Sequence, residues 1–407
     1  MESCKLKVAV IGVGNIGSVH TAAISRGAIQ GMALAALCDI DPAKRDALSE
    51  KYPGVPVYSD AVALIADADR NGIDAVIIST PHRFHSSIAM RALEAGLHVL
   101  SEKPADVEYS KAKEACELAK KCGKVYGIMF NQRTDPLFSK ARSIIASGEM
   151  GAFKRSSWII TNWYRTQAYY DSGDWRATWR GEGGGVMLNQ APHNIDIWIW
   201  LLGLPKRLRA FCREGRYHRI SVEDEATLYA EFEGGGSGVF VTSTGEAPGL
   251  NRLEMAFDRG RIVLENGRLE VLRLGVPERE FCFNSKESFA LPPMTEEVFT
   301  NSSSRDGHEL ILEDFASAVL NGTPLLASCE DGVNELAFSN AAYLSSWTDS
   351  WVEVPLDPAD RATFSILLQK KRDAESASAA MDKIAGRSGA PGGGSDEAYS
   401  ERWTTRW

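Results

Sequence analysis

Short apolar runs alternate with amphipathic stretches along the first third of the chain. The apolar runs predict buried strands at residues 7–11, 33–38, 75–79, 99–100 and 125–130. The stretches between them predict helices at residues 18–25, 85–95 and 110–122. Buried strands that alternate with helices are typical of a parallel sheet covered by helices on both faces. Residues 1–130 are therefore predicted to form a doubly wound α/β domain.

The pattern changes from about residue 153, where strands follow one another with only one helix among them. Strands are predicted at residues 155–163, 208–212, 226–232, 238–244, 252–257, 261–264 and 269–272. Hairpin turns connect several of them, at residues 233–236, 258–260 and 266–267. This pattern predicts an α+β domain over residues 131–357, with a large, mostly antiparallel sheet that has one face open. Parts of its last helices, at residues 308–320 and 332–345, could pack back on the first domain.

Residues 372–407 differ from both predicted domains. Ala, Ser and Gly dominate this segment, and residues 389–395 read like a flexible linker. We therefore expect a low-complexity, flexible tail. Trp403 and Trp407 would be unusual in a fully disordered tail, and they could dock on the body of the protein or on a partner subunit.

Length and charge narrow the classes of function. With 407 residues, the chain is long enough for two domains. It has 45 Lys and Arg against 54 Asp and Glu, a net charge of −9, which argues against binding to nucleic acid or to an anionic membrane. We expect no secretory signal and no membrane span, because the N-terminus leads directly into a strand and every apolar run is short.

The seven cysteines are scattered and form no CxxC pair. Such usage is typical of buried thiols in a reducing cytoplasm. We therefore expect a cytoplasmic protein with neither a disulfide framework nor a metal site.

A glycine motif follows the first predicted strand at once and leads into a helix. This strand–turn–helix context is the one that dinucleotide binding requires. Gly12 permits the tight turn, Gly14 lets the backbone approach a pyrophosphate, and Gly17 lets helix and strand pack closely. The helix N-terminus offers N–H groups to the phosphates. The residues predicted to form this turn are Gly12, Gly14, Asn15, Ile16 and Gly17.

An acidic residue ends the second predicted strand, roughly 20 residues beyond the last glycine, where it could hold the ribose hydroxyls of the adenosine. This residue is Asp39, and a carboxylate there would repel a 2′-phosphate. The sequence thus favours NAD over NADP. Asp41 could share this role, or it could begin the next helix together with Pro42.

Ligands of doubly wound sheets bind at the carboxyl ends of the strands. Residues that follow the predicted strands are therefore further candidates for the cofactor site: Thr80, Pro81, His85, Glu102, Lys103 and Asn131. Lys103 is the most constrained of them, because Pro104 pushes the preceding residue out of the helical region.

One stretch of the second domain, residues 181–196, joins a triple glycine to polar side chains in an apolar context. If it is helical, Asn189, His193 and Asp196 share one face, while Leu188 and Ile195 belong to an apolar stripe. This arrangement would direct chemistry from a buried helix. The alternative is a core helix whose polar groups are satisfied by their neighbours.

Residues 158–180 are rich in Trp, Tyr and Arg, which suits the ring faces and hydroxyl groups of sugars. The residues predicted to line a substrate pocket are Tyr164, Arg165, Trp175 and Arg176. Single-stranded nucleic acid is less favoured, because Asp171 and Asp174 lie in the same segment. The alternative is a packed loop or a subunit contact.

Three groups of residues together resemble the glucose-fructose oxidoreductase/inositol dehydrogenase/rhizopine-catabolism (Gfo/Idh/MocA) family, over about residues 5–357. They are the glycine motif, Glu102-Lys103-Pro104, and the stretch from the triple glycine to Asp196. The resemblance implies a nicotinamide-dependent oxidoreductase for sugars or cyclitols. It also implies a Rossmann domain, an open-sheet α/β domain, and a dimer or tetramer formed through the open sheet face.

The resemblance also implies roles for single residues. Lys103 matches the lysine that contacts the reacting hydroxyl and the nicotinamide ribose, and His193 matches the histidine that serves as general acid and base. Asn189 stands where many members carry aspartate, and an amide can orient the substrate but cannot raise the basicity of the histidine. Lys103 remains an alternative base, since the positive ring of oxidised NAD could lower its pKa.

These observations lead to one main hypothesis and two alternatives. The main hypothesis is an NAD-dependent oxidoreductase that moves a hydride between the nicotinamide and a secondary alcohol or ketone carbon of a sugar, sugar derivative or cyclitol. The first alternative is an NAD-dependent glycosidase that oxidises C3 transiently and eliminates the aglycone without net redox change. The second is a non-catalytic dinucleotide sensor, against which Lys103 and His193 argue.

Overall fold

The computed structural model describes residues 5–173, 175–301 and 305–384. These residues form two compact units, each assembled from separate segments of the chain. The first unit lies within Met1–Thr134, Gly181–Gly183 and Ser304–Leu336. The second lies within Asp135–Arg180, Gly184–Ser303 and Ala337–Trp407.

The strands form two sheets. In chain order they are β1 (Leu6–Ile11), β2 (Met32–Cys38), β3 (Val57–Tyr58), β4 (Ala75–Ile78), β5 (His98–Ser101), β6 (Tyr126–Ile128), β7 (Phe153–Ile160), β8 (Arg207–Glu214), β9 (Glu223–Glu231), β10 (Ser237–Ser243), β11 (Asn251–Phe257), β12 (Gly260–Glu265), β13 (Arg268–Leu274), β14 (Met294–Thr300) and β15 (Val352–Glu353). The first six belong to the first unit and the others to the second.

The helices connect and cover these sheets. In chain order they are α1 (Asn15–Ser25), α2 (Pro42–Lys51), α3 (Ala61–Ala66), α4 (Ala68–Asn71), α5 (His85–Glu94), α6 (Tyr109–Cys122), α7 (Pro136–Ala146), α8 (Gln167–Tyr170), α9 (Pro192–Leu202), α10 (Glu278–Asn284), α11 (Gly307–Asn321), α12 (Cys329–Thr348) and α13 (Pro358–Ile384). None of them is long and apolar enough to cross a membrane within the described residues.

The sheet of the first unit has the order β3-β2-β1-β4-β5-β6, and all of its pairs are parallel. This is the order of a Rossmann sheet, with its switch point between β1 and β4. Val8 and Ile77 from the sheet share one apolar core with Leu312 and Phe315 from α11. The predicted doubly wound parallel sheet is confirmed, and a helix from late in the chain completes its core.

The sheet of the second unit has nine strands in the order β14-β13-β12-β11-β7-β10-β9-β8-β15. Among the described strands of this second sheet, only β7 and β10 pair in parallel, so the predicted mostly antiparallel sheet is confirmed. Buried and half-buried positions alternate along β9, as expected for a sheet with one covered face. On the covered face, the ring centroid of Trp198 in α9 lies 5.5 Å from that of Phe240 and 5.7 Å from that of Phe338 in α12.

The predicted flexible tail begins too early. The helix α13 continues through residue 372 to Ile384, and residues 385–407, with Trp403 and Trp407, lie outside the described residues. The carboxylate of Glu375 in α13 accepts hydrogen bonds from the backbone N–H groups of Trp179 (3.1 Å) and Arg180 (3.0 Å). The helix therefore has a tertiary role in the second unit, which a low-complexity composition did not indicate.

The prediction that the cysteines are unpaired thiols is wrong for two of them. Cys116 in α6 and Cys329 at the start of α12 form a disulfide across 213 residues of sequence, with Cα atoms 5.5 Å apart. The bond joins two helices of the first unit, and sequence spacing gives no sign of it. Glu330 lies close enough to share a metal with these sulfurs, but a disulfide leaves no thiolate to bind one.

Candidate active site

Of the three glycines in the turn of the first unit, two are packed against backbone atoms and one faces open space. Gly12 has φ 88°, and a Cβ there would lie 2.8 Å from the carbonyl oxygen of Ser79. A Cβ on Gly17 would lie 2.0 Å from the carbonyl oxygen of Gly12. A Cβ on Gly14 would meet nothing within 4 Å. Packing thus requires the outer two glycines, whereas Gly14 faces open space, where a ligand could approach the backbone.

The predicted neighbours of this turn begin the helix α1. Asn15 is its first residue and is exposed, and Ile16 is half-buried. Gly14 occupies the N-cap position and supplies no side chain to the N–H groups of the first turn. The helix therefore begins without a side-chain cap, as in sites where an anion takes that place.

The acid at the end of β2 faces the glycine turn. Asp39 is 7% exposed, and its Oδ2 accepts a hydrogen bond of 2.9 Å from the backbone N–H of Val13. Its Oδ1 accepts one of 2.9 Å from the N–H of Asp41. Asp41 itself caps α2, because its Oδ1 accepts from the N–H of Ala43 and Pro42 follows at the first helical position. The structure thus gives Asp41 the capping role that was one of its two predicted alternatives.

Two loops at the carboxyl ends of β4 and β5 are tied together by His85. Its Nε2 lies 2.6 Å from the carbonyl oxygen of Thr80, and its Nδ1 lies 2.7 Å from that of Pro104. The imidazole is fully buried, and Pro81, which follows Thr80 in the chain, is half-buried. His85 was predicted as a cofactor ligand, but both of its ring nitrogens face backbone carbonyls. It therefore shapes the loop that carries Lys103.

Glu102 is buried beside a histidine that sequence reasoning missed. The Nε2 of His20, in α1, lies 2.8 Å from Oε1 of Glu102. Burial would raise the pKa of Glu102, but the hydrogen bond and charge of His20 outweigh it and lower the pKa to about 2. The backbone N–H of Lys103 donates to Oε2 across 3.3 Å. The carboxylate thus anchors the start of the lysine loop in its charged form.

The end of β6 carries a second polar cluster. Nδ2 of Asn131 lies 3.4 Å from Nδ1 of His308, and this His308 nitrogen lies 3.2 Å from Oδ1 of Asp306. The hydrogen bond from His308 lowers the pKa of Asp306 to about 2. The His20 and His308 ring centroids are 5.8 Å apart. His20 and His308, which are 288 residues apart in sequence, belong to one polar network that no local pattern could show.

The prediction that Asn189 and His193 share one helix is wrong. The helix α9 begins at Pro192, and residues 181–191 form turns. Proline is favoured at the first helical position, where its missing N–H costs no hydrogen bond. Asn189 therefore precedes the helix, whereas His193 (4% exposed) and Asp196 (2% exposed) lie buried within it.

Two residues from elsewhere in the second unit hold this turn. Glu223, fully buried at the start of β9, accepts from the backbone N–H groups of Gly185 (2.9 Å to Oε2) and Met187 (2.9 Å to Oε1). The hydroxyl of Tyr343 donates to Oε1 across 2.7 Å. Burial raises the pKa of Glu223 to about 7, against the opposing effect of these hydrogen bonds.

The triple glycine has packing reasons that differ from those of the N-terminal turn. A Cβ on Gly183 would lie 2.5 Å from the side chain of Val107. On Gly184 it would lie 2.2 Å from the hydroxyl of Tyr343, and on Gly185 it would lie 1.9 Å from the carbonyl oxygen of Glu223. Glycine is therefore needed here for close packing around buried groups.

Tyr169 brings together two of the predicted substrate residues. Its hydroxyl oxygen lies 3.3 Å from Nδ2 of Asn189 and 2.9 Å from a guanidinium nitrogen of Arg176. Nε2 of Gln190 also lies 3.3 Å from it. The guanidinium of Arg165 stands 5.1 Å from the centre of the Tyr169 ring. The sequence indicated an aromatic segment but did not single out Tyr169.

The other predicted pocket residues lie near the surface of the second unit. Tyr164 is 47% exposed and Trp175 is 37% exposed, with the guanidinium of Arg176 over the Trp175 ring at 4.7 Å. Arg165 donates to the carbonyl oxygen of Tyr164 at 2.9 Å. These residues thus place aromatic rings and guanidinium groups near the surface of the second unit.

The fold and the glycine turn define a Rossmann dinucleotide-binding protein with an added open-sheet domain. The model of an oxidoreductase family with an NAD-binding Rossmann fold matches residues 6–130, and the model of the GFO/IDH/MocA C-terminal domain matches residues 138–263. The chain belongs to the Gfo/Idh/MocA oxidoreductase family, as its sequence motifs predicted.

Relatives with known names extend this assignment. A D-glucoside 3-dehydrogenase of Escherichia coli strain K12 is 31% identical over 209 residues, which are 50% of this chain and 56% of that protein. An inositol 2-dehydrogenase of Rhizobium meliloti strain 1021 is 24% identical over 351 residues, 84% of this chain and 96% of that protein. The chain thus spans about half the length of some curated relatives and nearly all of another.

A solved structure shares the fold over most of the chain. The WlbA dehydrogenase of Bordetella pertussis, solved with NADH and UDP-GlcNAcA, superposes with a TM-score of 0.72 at 22% identity. The match covers 87% of this chain and all of the solved chain. At this identity the likeness concerns the fold alone.

Proposed function

We propose that this protein is an NAD-dependent oxidoreductase that transfers a hydride between the nicotinamide and a secondary alcohol or ketone carbon of a sugar, sugar derivative or cyclitol. The observation that carries the proposal is the position of Lys103 two residues after the end of β5, at the carboxyl edge of the Rossmann sheet. Ligands of such sheets bind at this edge. The matched family of oxidoreductases, and the inositol and glucoside dehydrogenases among the relatives, support the reaction class.

The residues of the first unit fit a dinucleotide. The open space over Gly14 and the uncapped start of α1 suit a pyrophosphate. We propose NAD over NADP because the Asp39 carboxylate would repel a 2′-phosphate. Thr80, Pro81 and Asn131 follow strands at the same edge and are proposed to line the cofactor site. Bound NAD would supply the hydride acceptor, and NADH the donor.

The proposed catalytic roles belong to three side chains. His193 takes the hydroxyl proton during oxidation and returns it during reduction, for which an imidazole is suited near neutral pH. Lys103 donates a hydrogen bond to the same oxygen and stabilises its developing negative charge. Asn189, which carries an amide and therefore no charge, positions the substrate. Lys103 as the base is the variant of this mechanism that remains open.

The substrate surface is proposed to include the basic and aromatic side chains of the second unit: Tyr164, Arg165, Trp175 and Arg176. Tyr169 joins this set, because its hydroxyl contacts Asn189 and Arg176. The hydroxyl of Tyr169 would thereby hold the amide of Asn189 in the orientation in which it binds a substrate hydroxyl.

The proposal is tested by incubating the protein with NAD and a panel of cyclitols, aldoses and glycosides while following NADH absorbance. Accumulating NADH with one class supports the dehydrogenase. Release of an aglycone without NADH would instead identify the glycosidase. Tight NAD binding without any turnover on the whole panel would identify the sensor.

Replacement of Lys103 by Met tests the residue that carries the proposal. Loss of the Lys103 ammonium group next to the reacting oxygen should lower kcat by about 100-fold or more, because one electrostatic donor of this kind contributes that much. NADH affinity, measured by fluorescence, should stay unchanged. Lys111→Met is the matched control, since Lys111 is exposed and paired with Glu108. Wild-type turnover in Lys103→Met would refute the role.

We further propose that a second copy of this chain covers the open face of the nine-stranded sheet. Strand register places Phe211, Tyr229 and Val241 on one face, and Phe211 (45% exposed) and Tyr229 (40% exposed) are large apolar side chains. Light scattering should show a dimer or tetramer, and Tyr229→Arg should dissociate it. A monomeric wild type would refute the proposal.

A cytoplasmic location, which was inferred from unpaired thiols, stays a prediction.

A further inference from the structure

Glu223 is a fully buried carboxylate that the proposed mechanism does not use. Its two oxygens accept hydrogen bonds from the backbone N–H groups of Gly185 and Met187 and from the hydroxyl of Tyr343. All of these partners are donors. A buried carboxylate is costly unless its oxygens are satisfied, so a site with three converging donors is built around a charged acceptor.

The turn held by Glu223 leads directly to His193. The N–H of Val186 donates to the carbonyl oxygen of Glu223 across 3.0 Å, which adds a backbone contact to the side-chain contacts. The N–H of Ala191 then donates to the carbonyl oxygen of Val186 across 2.8 Å. The helix α9 begins at the next residue, and His193 is its second residue. These backbone hydrogen bonds lead from Glu223 to the residue before α9, and the carboxylate holds Gly185 and Met187, the residues on either side of Val186.

We propose that Glu223 is a positioning residue of the proposed hydride-transfer site, which holds residues 185–191 in the conformation that presents His193 and Asn189. The proposal rests on the proposed function for its kinetic consequences. Its structural part, the hold of the carboxylate on the turn, stands on the hydrogen bonds alone. Such a residue touches neither substrate nor cofactor and acts through the backbone that it fixes.

The charge of Glu223 makes this hold sensitive to pH. Burial raises its pKa to about 7. The titratable groups that face it are Tyr343 from α12 and Cys212 from β8, and burial raises the pKa of both well above their usual values, so both stay neutral. Glu214, its register partner on β8, is paired with Lys371. Protonation would place an O–H against the N–H donors and thereby lose a hydrogen bond to the turn.

The pH dependence of kcat in Glu223→Gln separates positioning from a merely structural role. In the wild type, the acid limb should contain two ionisations, one from the catalytic acid–base group and one from Glu223, with a slope that approaches two. In Glu223→Gln, the slope should fall to one, and kcat should fall about 10- to 100-fold because the amide cannot accept from every donor. NADH affinity should not change. An unaltered slope and kcat would overturn the proposal.

Two further variants provide the matched comparison. Tyr343→Phe removes one donor to the carboxylate, so the pKa of Glu223 should rise further and the acid limb should move to higher pH. Ser345→Ala removes a buried hydroxyl from the same helix, one that accepts from the N–H of Ala210 and does not contact the turn. Its pH profile should match that of the wild type. A shift of equal size in both variants would show a general effect of destabilisation and would overturn the proposal.

Hydrogen exchange tests the hold without relying on activity. The amide protons of Gly185 and Met187 should be protected in the wild type above pH 7 and should exchange at least about 10-fold faster in Glu223→Gln. Unchanged protection would overturn the proposal. If protection is lost but kcat and its pH profile stay as in the wild type, the positioning role is overturned. If protection is lost and no substrate of the panel is turned over in any variant, the proposed function fails while the hold of Glu223 on the turn stands.

Discussion

The two units each contain a glycine-rich turn that leads into a helix, and the turns use glycine for opposite purposes. In the first unit, Gly14 faces open space, and α1 begins without a side-chain cap. In the second unit, Gly184 and Gly185 press against Tyr343 and Glu223, and the N–H groups of the turn are taken by a carboxylate of the same chain. The first turn leads into a helix whose first N–H groups have no side-chain cap, whereas the N–H groups of the second turn donate to a carboxylate of the protein.

The comparison shows what a glycine run alone can indicate. Both turns follow the same rule, that glycine lets other atoms approach the backbone. The rule does not tell whether the approaching atoms are those of a ligand or those of a side chain. The context of strand, turn and helix answers this question for the first turn, and only the tertiary structure answers it for the second.

The largest expected effect comes from adding a methyl group to each turn. Gly185→Ala should lower the free energy of unfolding by about 3 kcal/mol, because its Cβ would lie 1.9 Å from a backbone carbonyl oxygen that β9 holds in place. Gly14→Ala should change stability by less than about 1 kcal/mol but weaken NADH binding about 10-fold. Chemical denaturation and a fluorescence titration measure the two effects. The comparison breaks down if Gly14→Ala is the less stable variant.

A second effect is the dependence of stability on pH that Glu223 confers. Its pKa is raised from a usual value of 4.5 to about 7, because burial disfavours the charged form by more than the hydrogen bonds of the turn favour it. The folded protein is therefore more stable with Glu223 protonated, below pH 4.5, and this stability is lost as the pH rises through 7, even though the charged form makes the better hydrogen bonds to the turn. The loss should amount to roughly 3 kcal/mol. In denaturation at several pH values, the free energy of unfolding of the wild type, relative to that of Glu223→Gln, should therefore fall as the pH rises. A difference that stays constant from pH 5 to 8 would contradict the raised pKa.

A smaller effect distinguishes the two acids beside the open turn. Asp39→Asn should improve the use of NADP relative to NAD by about 10-fold, because it removes the charge that opposes a 2′-phosphate. Asp41→Ala, which removes the cap of α2, should cost about 1 kcal/mol of stability and leave the cofactor preference unchanged. The ratio of kcat/KM for the two cofactors measures the preference. Equal changes of the cofactor preference in both variants would show that neither acid recognises the ribose.

Much of the first unit was predictable because its signals are local. The strands β1, β2 and β4 are short apolar runs, and the glycine turn lies between a strand and a helix. Asp41 and Pro42 form a helix start that the sequence offered as one of two possibilities, and the structure adopts it. Local patterns of this kind need no knowledge of the tertiary structure.

The second site was less predictable because its structure depends on distant residues. The i, i+4 spacing of Asn189 and His193 fitted a helix, but the helix starts only at Pro192. The turn before it is held by hydrogen bonds to Glu223, which lies about 30 residues later in the sequence. The disulfide of Cys116 and Cys329 and the network of His20 and His308 join positions that are even farther apart. Such pairings cannot be predicted from a sequence pattern unless the partner residues are already known.

The helix α13 also bears on the order in which the protein can form during synthesis. Glu375 accepts hydrogen bonds from the N–H groups of Trp179 and Arg180, shortly before the triple glycine. The core of the first unit likewise includes Phe315 of α11. Domains form from the N-terminus as the chain leaves the ribosome, yet neither unit can be complete until its late segment has emerged. A ribosome that stalls before residue 307 would release a Rossmann sheet that still lacks α11, with part of its apolar core exposed.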